Sequence, residues 1–185
     1  MANMSKILFI IFSIGFVLIR VRFHNPEQSD QTEVQPFRES ILATQFSLAL
    51  LTSHGWWLSQ DSGGNLDTWY LWLGASLMGL SLPLLYWVHH SLGTYFSARL
   101  VLQPKHTIIQ NGPYRWIRHP MYSVGFLYLI GAGLLSHSWF VGVVPTLSFT
   151  VLVWLRIQDE EIMLCSLSEE YVAYMERTGR FLPKL

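Results

Sequence analysis

The chain has 185 residues, of which 51% are apolar and 13% charged, with 12 Lys and Arg balanced by 12 Asp and Glu. A water-soluble domain carries about 25% charged residues, so this composition excludes an ordinary cytosolic enzyme, and the zero net charge gives no reason to expect a nucleic-acid partner. Eight Trp, 15% aromatics and one cysteine, Cys165, exclude a disordered chain and a disulfide-stapled secreted domain. The expected class is an all-α integral membrane protein with about five transmembrane helices.

A span takes about 20 residues of helix at about 1.5 Å rise each, and the spacing of charges predicts spans at 4–20, 41–58, 68–88, 120–135 and 138–155. The first is flanked by Lys6 and Arg20, which must snorkel to the interfaces. A signal peptide is its rival reading, disfavoured because Arg20-Val21-Arg22-Phe23-His24 offers no small residue for cleavage. The 23–40 stretch, with Pro26, Pro36 and mixed charge, reads as a linker, and Gly63-Gly64-Asn65 as a turn. Ala75 and Gly79 form a small-x-x-x-small pair expected to pack inside the bundle.

The uncharged run from His119 to Leu155 would measure roughly 55 Å as one helix, against roughly 30 Å of hydrocarbon. It must double back, and Ser136-His137-Ser138 is the polar break that turns it into a helical hairpin. Beyond it, an amphipathic helix is expected from about Ser168 to Arg177. Ser166 or Ser168 would cap it, Glu169 and Glu170 suit its positive end, and Gly179 and Pro183 stop it.

From Thr68 to Gln158 the charged side chains are Arg99, Lys105, Arg115, Arg118 and Arg156, without one acid. The 59–67 loop holds Asp61 and Asp67 but no Lys or Arg, whereas Lys105, Arg115 and Arg118 precede the fourth span. The positive-inside rule therefore assigns those three residues and the C-terminal segment to the cytoplasm. The chain divides into residues 1–88, a bundle of three spans, and residues 89–185. The second part comprises a polar segment at 99–122, the hairpin at 120–157 and the C-terminal segment at 158–185. Because the hairpin returns to the side it left, residues 89–122 and 156–185 are expected to meet. The expected location is the endoplasmic reticulum in a eukaryote or the cell membrane in a prokaryote, with the segments that hold nearly all the reactive side chains on the cytoplasmic face.

No Gly-x-Gly-x-x-Gly follows a strand, and there is no Walker loop or nucleophile elbow. His89 and His90 are adjacent and share no helix face, while His106 and His119 are separated by a Pro-containing turn, so no metal is expected. His54 and His137 read as packing or interfacial histidines. The densest polar stretch is His106-Thr107-Ile108-Ile109-Gln110-Asn111-Gly112-Pro113-Tyr114-Arg115-Trp116-Ile117-Arg118-His119-Pro120-Met121-Tyr122. Gly112 and Pro113 allow a tight turn, residues 106–109 offer an extended edge, and Tyr114, Trp116 and Tyr122 offer ring faces. Pro120 fits the first position of the fourth helix, whose free amides can receive a carboxylate. A plain cytoplasmic loop accounts for Arg115, Arg118 and Trp116, but not for two histidines, a Gly-Pro turn and a His-Pro pair in one stretch.

This stretch resembles the cofactor segment of the isoprenylcysteine carboxyl methyltransferase family. The resemblance continues through Arg156, Glu160-Glu161, Leu164, Tyr171, Tyr174 and Phe181-Leu182-Pro183, covering roughly residues 92–185. The Gly-Pro-Tyr and Arg-His-Pro elements also look like those of phosphatidylethanolamine N-methyltransferases, thiol S-methyltransferases and, more distantly, NADPH-dependent sterol reductases. The chain departs from the family at a Gln that often precedes the counterpart of His106. Val101 or Arg99 falls near that position, with Gln103 the nearest stand-in.

The resemblance implies a membrane methyltransferase that uses S-adenosyl-L-methionine to esterify the carboxylate of a prenylcysteine or a similar lipophilic acid. The alternatives are methylation of a phospholipid amine or a small thiol, an NADPH-dependent sterol-type reductase, or a non-catalytic scaffold. Implied cofactor contacts are His106, Thr107, Ile108, Ile109, Tyr114, His119, Pro120, Met121, Tyr122 and Glu160. Arg156 and Glu160 stand four apart on one helix face, and as a salt bridge Arg before Glu is the weaker order, worth about 0.2–0.5 kcal/mol at best. A division of roles is more economical: Glu160 partners the cofactor and Arg156 anchors the acceptor carboxylate, the two forming the catalytic pair. An ionised carboxylate needs no base, whereas an amine or thiol would need one, from Glu160, Glu161 or His119. The expected partner is a lipophilic substrate arriving from the bilayer, with no nucleic acid, no metal and a monomeric chain.

Overall fold

A computed structural model describes residues 2–23, 36–60, 69–93 and 108–184. Linker residues 24–35, the turn at Gly63-Gly64-Asn65, and Arg99, Gln103 and Lys105 lie outside the described residues. The helices are α1 (Ala2–Arg22), α2 (Pro36–Ser59), α3 (Trp69–Leu92), α4 (Pro120–Ser136), α5 (Trp139–Leu167) and α6 (Glu169–Arg177), with one 3-10 turn at Gly112–Arg115. Among the described residues, extended pairing is limited to an isolated parallel bridge between Ile117 and Gly179.

The five expected apolar segments are all helical, but α2 starts at Pro36, inside the stretch expected as a linker, α3 continues to Leu92, and α5 runs well past its expected end. By length and composition, Met4–Arg22, Trp69–Leu92 and Trp139–Ser166 are long and apolar enough to cross a membrane. Helix α4 has 17 residues, about 26 Å, because the hairpin break ends it at Ser136. Helix α2 has 24 residues but carries Thr44, Gln45, Ser47, Thr52, Ser53 and His54 along its length. Helix α5 does not stop near Leu155. It runs to Leu167 for 29 residues, about 44 Å, since residues 156–167 contain neither Gly nor Pro and bury Ile157 and Glu161. The C-terminal segment thus begins as an extension of the fifth helix.

The hairpin turn lies where the polar break predicts. His137 adopts the left-handed conformation with φ 48°, and Ser138 caps α5 by accepting from the Val141 amide. Ser168 likewise caps α6 by accepting from the Glu170 amide at 3.1 Å.

Helix α3 packs on α1 and α4, α4 on α5, and α5 on α2. Glycines set the closest approaches. A Cβ on Gly74 of α3 would collide with the Leu135 backbone of α4, one on Gly131 would reach Met78 N at 2.9 Å, and one on Gly133 would reach Gly142 Cα across the hairpin at 2.6 Å. The small-residue contact of α3 is therefore made by Gly74 beside Ala75, whereas Gly79 faces Phe12 of α1 at an ordinary 3.6 Å. At the hairpin end, Lys6 donates to the Leu58 carbonyl at 3.0 Å and to that of Gln60 at 2.5 Å, tying the start of α1 to the end of α2. Trp69 and Trp139 are highly exposed at the same end, as in an interfacial aromatic belt. The exposed face of α1, with Ile7, Ile11, Ile14 and Leu18, suits lipid.

Gly74→Val and Gly133→Val should each lower stability by about 1–3 kcal/mol through overpacking. Gly55→Ala, at a site with nothing within 4 Å, should not. Thermal unfolding in detergent checks both, and an unchanged Gly74→Val melting temperature would contradict the close α3–α4 approach.

Candidate functional site

A cavity of about 910 Å³ runs between α1 and α2 from Leu58 and His54, toward the hairpin end, to Arg118, Arg156 and Glu160 at the opposite end. Helix α1 lines it with Phe9, Ser13, Phe16, Val17 and Arg20, and α2 with Phe46, Leu50 and His54. Ile108, Ile109, Tyr114, His119, Met121, Tyr122, Arg156 and Glu160, all singled out from the sequence, line it too. Pro120 instead is buried at the first position of α4, and His106 and Thr107 lie outside the described residues.

The turn that carries Tyr114 needs its glycine. Gly112 has φ +55°, and a Cβ there would strike the Ser91 side chain of α3. Pro113 follows as the second residue of the 3-10 turn, and Tyr114 packs with Leu85, Val88 and Val124. The Tyr174 hydroxyl donates to the Tyr114 carbonyl at 2.5 Å. Burial pushes the Tyr174 phenol up to about 12, against the nearby Arg118 and Arg177 charges and the Thr178 hydrogen bond, so it stays protonated and keeps donating. Burial, aided by the Glu160 charge, also raises the Tyr114 phenol above its ordinary range, which keeps it a donor facing the cavity.

The C-terminal segment is sewn onto residues 110–123. The amides of Arg118 and His119 donate to the carbonyls of Gly179 and Arg180 at 2.9 and 3.0 Å, and the Gly179 amide donates to Trp116 O at 3.3 Å. Ser123 Oγ donates to Phe181 O at 2.9 Å. On the exposed side, Gln110 donates to Glu170 at 2.8 Å and accepts from Arg177 at 2.5 Å. The amide of His119, the residue capping α4, is thus already bonded to Arg180. In the first turn of α4, Pro120 has no amide to donate and the Ser123 amide bonds the His119 carbonyl at 3.3 Å.

The two adjacent glutamates do different things. Glu160, with 29% of its side chain exposed, lines the cavity with Tyr122 OH 3.4 Å and His119 Nδ1 4.0 Å from its Oε2. Glu161 is buried. Its Oε1 accepts from Arg118 Nε at 3.0 Å and His119 Nε2 at 3.2 Å, and its Oε2 accepts from Arg180 Nε at 3.0 Å and NH2 at 2.5 Å. Arg118 also donates to the carbonyls of Met175 and Thr178. Arg118, which topology alone appeared to explain, is therefore 9% exposed at its side chain and central to the site. His119 is likewise committed to Glu161, which removes it and Glu161 from the candidates for a free base. Arg115, by contrast, is exposed, as a loop cation should be.

Sequence reasoning passed over Arg118, Glu161 and Arg180 as structural partners, and over Arg20 as a cavity residue. The proximity of Arg118 to His-Pro was the available signal for the first of these. Removing the Glu161 charge leaves Arg118 buried without its carboxylate, a change that costs about 3–5 kcal/mol. Glu161→Gln should therefore lower the melting temperature sharply and open the C-terminal segment to proteolysis. Arg180→Ala should do so weakly, because Arg180 is 40% exposed and solvent screens its pair.

The family model for isoprenylcysteine carboxyl methyltransferases (ICMT) matches residues 74–166. The chain is 35% identical over 42% of its length to human protein-S-isoprenylcysteine O-methyltransferase, covering 28% of that protein. It is 29% identical over 75% of its length to the nickel-cobalt-cadmium resistance protein NccN of Alcaligenes xylosoxydans xylosoxydans, covering 59% of it. The aligned segments thus span less than two thirds of these relatives. The fold is similar to that of a solved eukaryotic intramembrane Ras methyltransferase ICMT, with TM-score 0.59, 20% identity, and coverage of 76% of this chain and 53% of that one. With the family match spanning half of the sequence, from Gly74 on α3 through Ser166 on α5, the chain belongs to the isoprenylcysteine carboxyl methyltransferase family.

Proposed function

We propose that this chain is an integral-membrane methyltransferase that transfers a methyl group from S-adenosyl-L-methionine to the carboxylate of a prenylcysteine-like lipophilic acid. The observation that carries the reading is a single cavity with a polar cluster, Arg20, Tyr122, Arg156 and Glu160, beside an apolar wall from α1 and α2. A polar cofactor and a lipophilic acceptor need these two surfaces next to each other, and about 910 Å³ falls in the size range of ligand pockets.

The donor set fits the cofactor. Glu160 can accept from an ammonium or ribose hydroxyl, the Met121 and Tyr122 amides suit a carboxylate, and Tyr114 and Tyr122 offer rings and hydroxyls. When bound, S-adenosylmethionine supplies an electrophilic methyl on a sulfonium, whose C–S bond breaks as a C–O bond to the acceptor forms. Arg156 binds and orients the acceptor carboxylate, leaving one oxygen lone pair free to attack in line. An acid is ionised at neutral pH, so no side chain has to remove a proton. The apolar walls exclude water, which strengthens these charge contacts. We place the site on the cytoplasmic face, where Arg115 and Arg118 satisfy the positive-inside rule, and carry His106 and Thr107 as further cofactor contacts. The resistance-protein relatives raise a metal-linked role, but among the described residues no group of three His, Cys, Asp or Glu could hold an ion.

Transfer of a tritiated methyl group to prenylcysteine, phosphatidylethanolamine and thiol acceptors tests the reading. The prenylcysteine should be labelled and the other two should not. Glu160→Ala should abolish calorimetric binding of S-adenosylhomocysteine, while Arg156→Ala should spare it and cut kcat/KM for the carboxylate by about 100-fold. Labelling of the amine alone, or an Arg156→Ala enzyme of normal activity, would overturn the assignment.

A further inference from the structure

Among the described residues, Tyr114, Tyr122, Tyr128, Tyr171 and Tyr174 line the cavity, and their hydroxyls differ in what they bond. Tyr128 OH lies 2.6 Å from Ser13 Oγ, Tyr174 donates to the Tyr114 carbonyl at 2.5 Å, and Tyr122 reaches Glu160 at 3.4 Å. The hydroxyls of Tyr114 and Tyr171 bond no described residue. Tyr114 already stands among the candidate cofactor contacts, whereas Tyr171 has no duty so far. It is 3% exposed and still faces the cavity. A buried phenol without a partner costs stability, and folded chains rarely keep one unless a ligand answers it. Burial, with the neighbouring Glu161 and Glu160 charges, holds this phenol above its ordinary range, so at neutral pH it offers a proton and needs an acceptor.

The surroundings of Tyr171 say which acceptor fits. Ser168 caps α6 and sets Tyr171 in its first turn. Gln110 clasps Glu170 and Arg177 of α6, which brings Ile108 and Ile109 to the side of the cavity that α6 lines. Met163 and Leu164, one turn beyond Glu160 on α5, line it as well, with Tyr174. This lobe follows Glu160 along α5, whereas α2 meets α5 before it, where the Phe46 and Phe149 rings are 5.0 Å apart. Its surfaces are aliphatic and aromatic, so a sugar or a charged group would lose its hydration there without recompense. A flat ring that stacks on such faces and carries acceptors on its edge suits both the walls and the unspent donor. Building on the methyltransferase reading, we propose that this lobe holds the purine base of the methyl donor and that Tyr171 reads the base by donating to one of its ring nitrogens. Glu160 is then left to the ribose or ammonium of the donor, and the α1–α2 side to the acceptor. A base without that nitrogen leaves the phenol unpaired, so Tyr171 selects by penalising the wrong ring.

Calorimetric binding to the full-length protein in detergent tests this, with S-adenosylhomocysteine and its 1-deaza, 3-deaza and 7-deaza analogues as probes. Tyr171→Phe removes the hydroxyl alone and should weaken S-adenosylhomocysteine about fivefold or more. One analogue should bind the wild type as weakly as the variant binds the parent compound, and Tyr171→Phe should change its affinity by less than about twofold. The other two should lose affinity as the parent does. The melting temperature of the ligand-free variant should stay level or rise, because no bond within the protein is lost. Unchanged S-adenosylhomocysteine binding in Tyr171→Phe would overturn the proposal. So would an equal loss for all four compounds, as from a displaced α6 or a contact to the ribose, and so would a lower ligand-free melting temperature, as from a structural bond. The outcomes also separate this inference from the one it rests on. Binding and methyl transfer that are both indifferent to Tyr171→Phe would sink this one alone, and Tyr171-dependent reading of the base without methyl transfer to any acceptor would sink the methyltransferase reading alone.

Discussion

One buried carboxylate holds the site together. Glu161 lies on α5, and the groups that bond it come from the entry to α4, through Arg118 and His119, and from the C-terminal segment after α6, through Arg180. A buried charge is tolerated only when paired and fully hydrogen-bonded. Both Glu161 oxygens accept two bonds each, which meets that condition. The backbone pairing of residues 116–119 with 179–180 and the Tyr174–Tyr114 bond then extend the same joint outward.

The joint explains why two neighbouring glutamates have separate duties. Successive residues of a helix point about 100° apart. Once Glu161 is fixed toward Arg118 and Arg180, Glu160 turns toward the cavity, where Arg156, one turn earlier, also points. The cations divide in the same way. Arg118 is spent on the joint and Arg115 on the surface, whereas Arg20 and Arg156 border the cavity. Glycines complete the positioning: Gly74 and Gly133 let α3, α4 and α5 approach closely enough to act as one block, from which the polar segment is suspended.

The positions of the helices were legible in the sequence because the bilayer imposes a length and charges mark the ends. The hairpin at Ser136-His137-Ser138 followed from arithmetic, since a single helix from His119 to Leu155 has no membrane thick enough to hold it. The polar side of the cavity was legible through the family resemblance, because Gly112, Pro113, His119 and Pro120 constrain the backbone in a recognisable order, whereas the lining from α1 and α2 was not. What stayed hidden depends on rotation about a helix axis. Nothing local says which of Glu160 and Glu161 faces inward, or that Arg20 turns into the bundle and not out to headgroups. Those directions are set by α3 packing against α1 and by partners more than forty residues away in sequence, such as Arg118 for Glu161. The continuation of α5 past Leu155 was legible as far as Glu160, which shares a helix face with Arg156, but its run to Leu167 was not, although charged residues there continue a good helix-forming run.

If the Glu161 joint builds the site before any ligand arrives, amide hydrogen exchange of the ligand-free protein will reveal it. The amides of Arg118, His119 and Gly179 should exchange slowly, gain little on addition of S-adenosylhomocysteine, and become fast together in Glu161→Gln. Fast exchange at all three in the ligand-free wild type, slowed only by S-adenosylhomocysteine, would mean that the ligand and not the buried carboxylate organises the site.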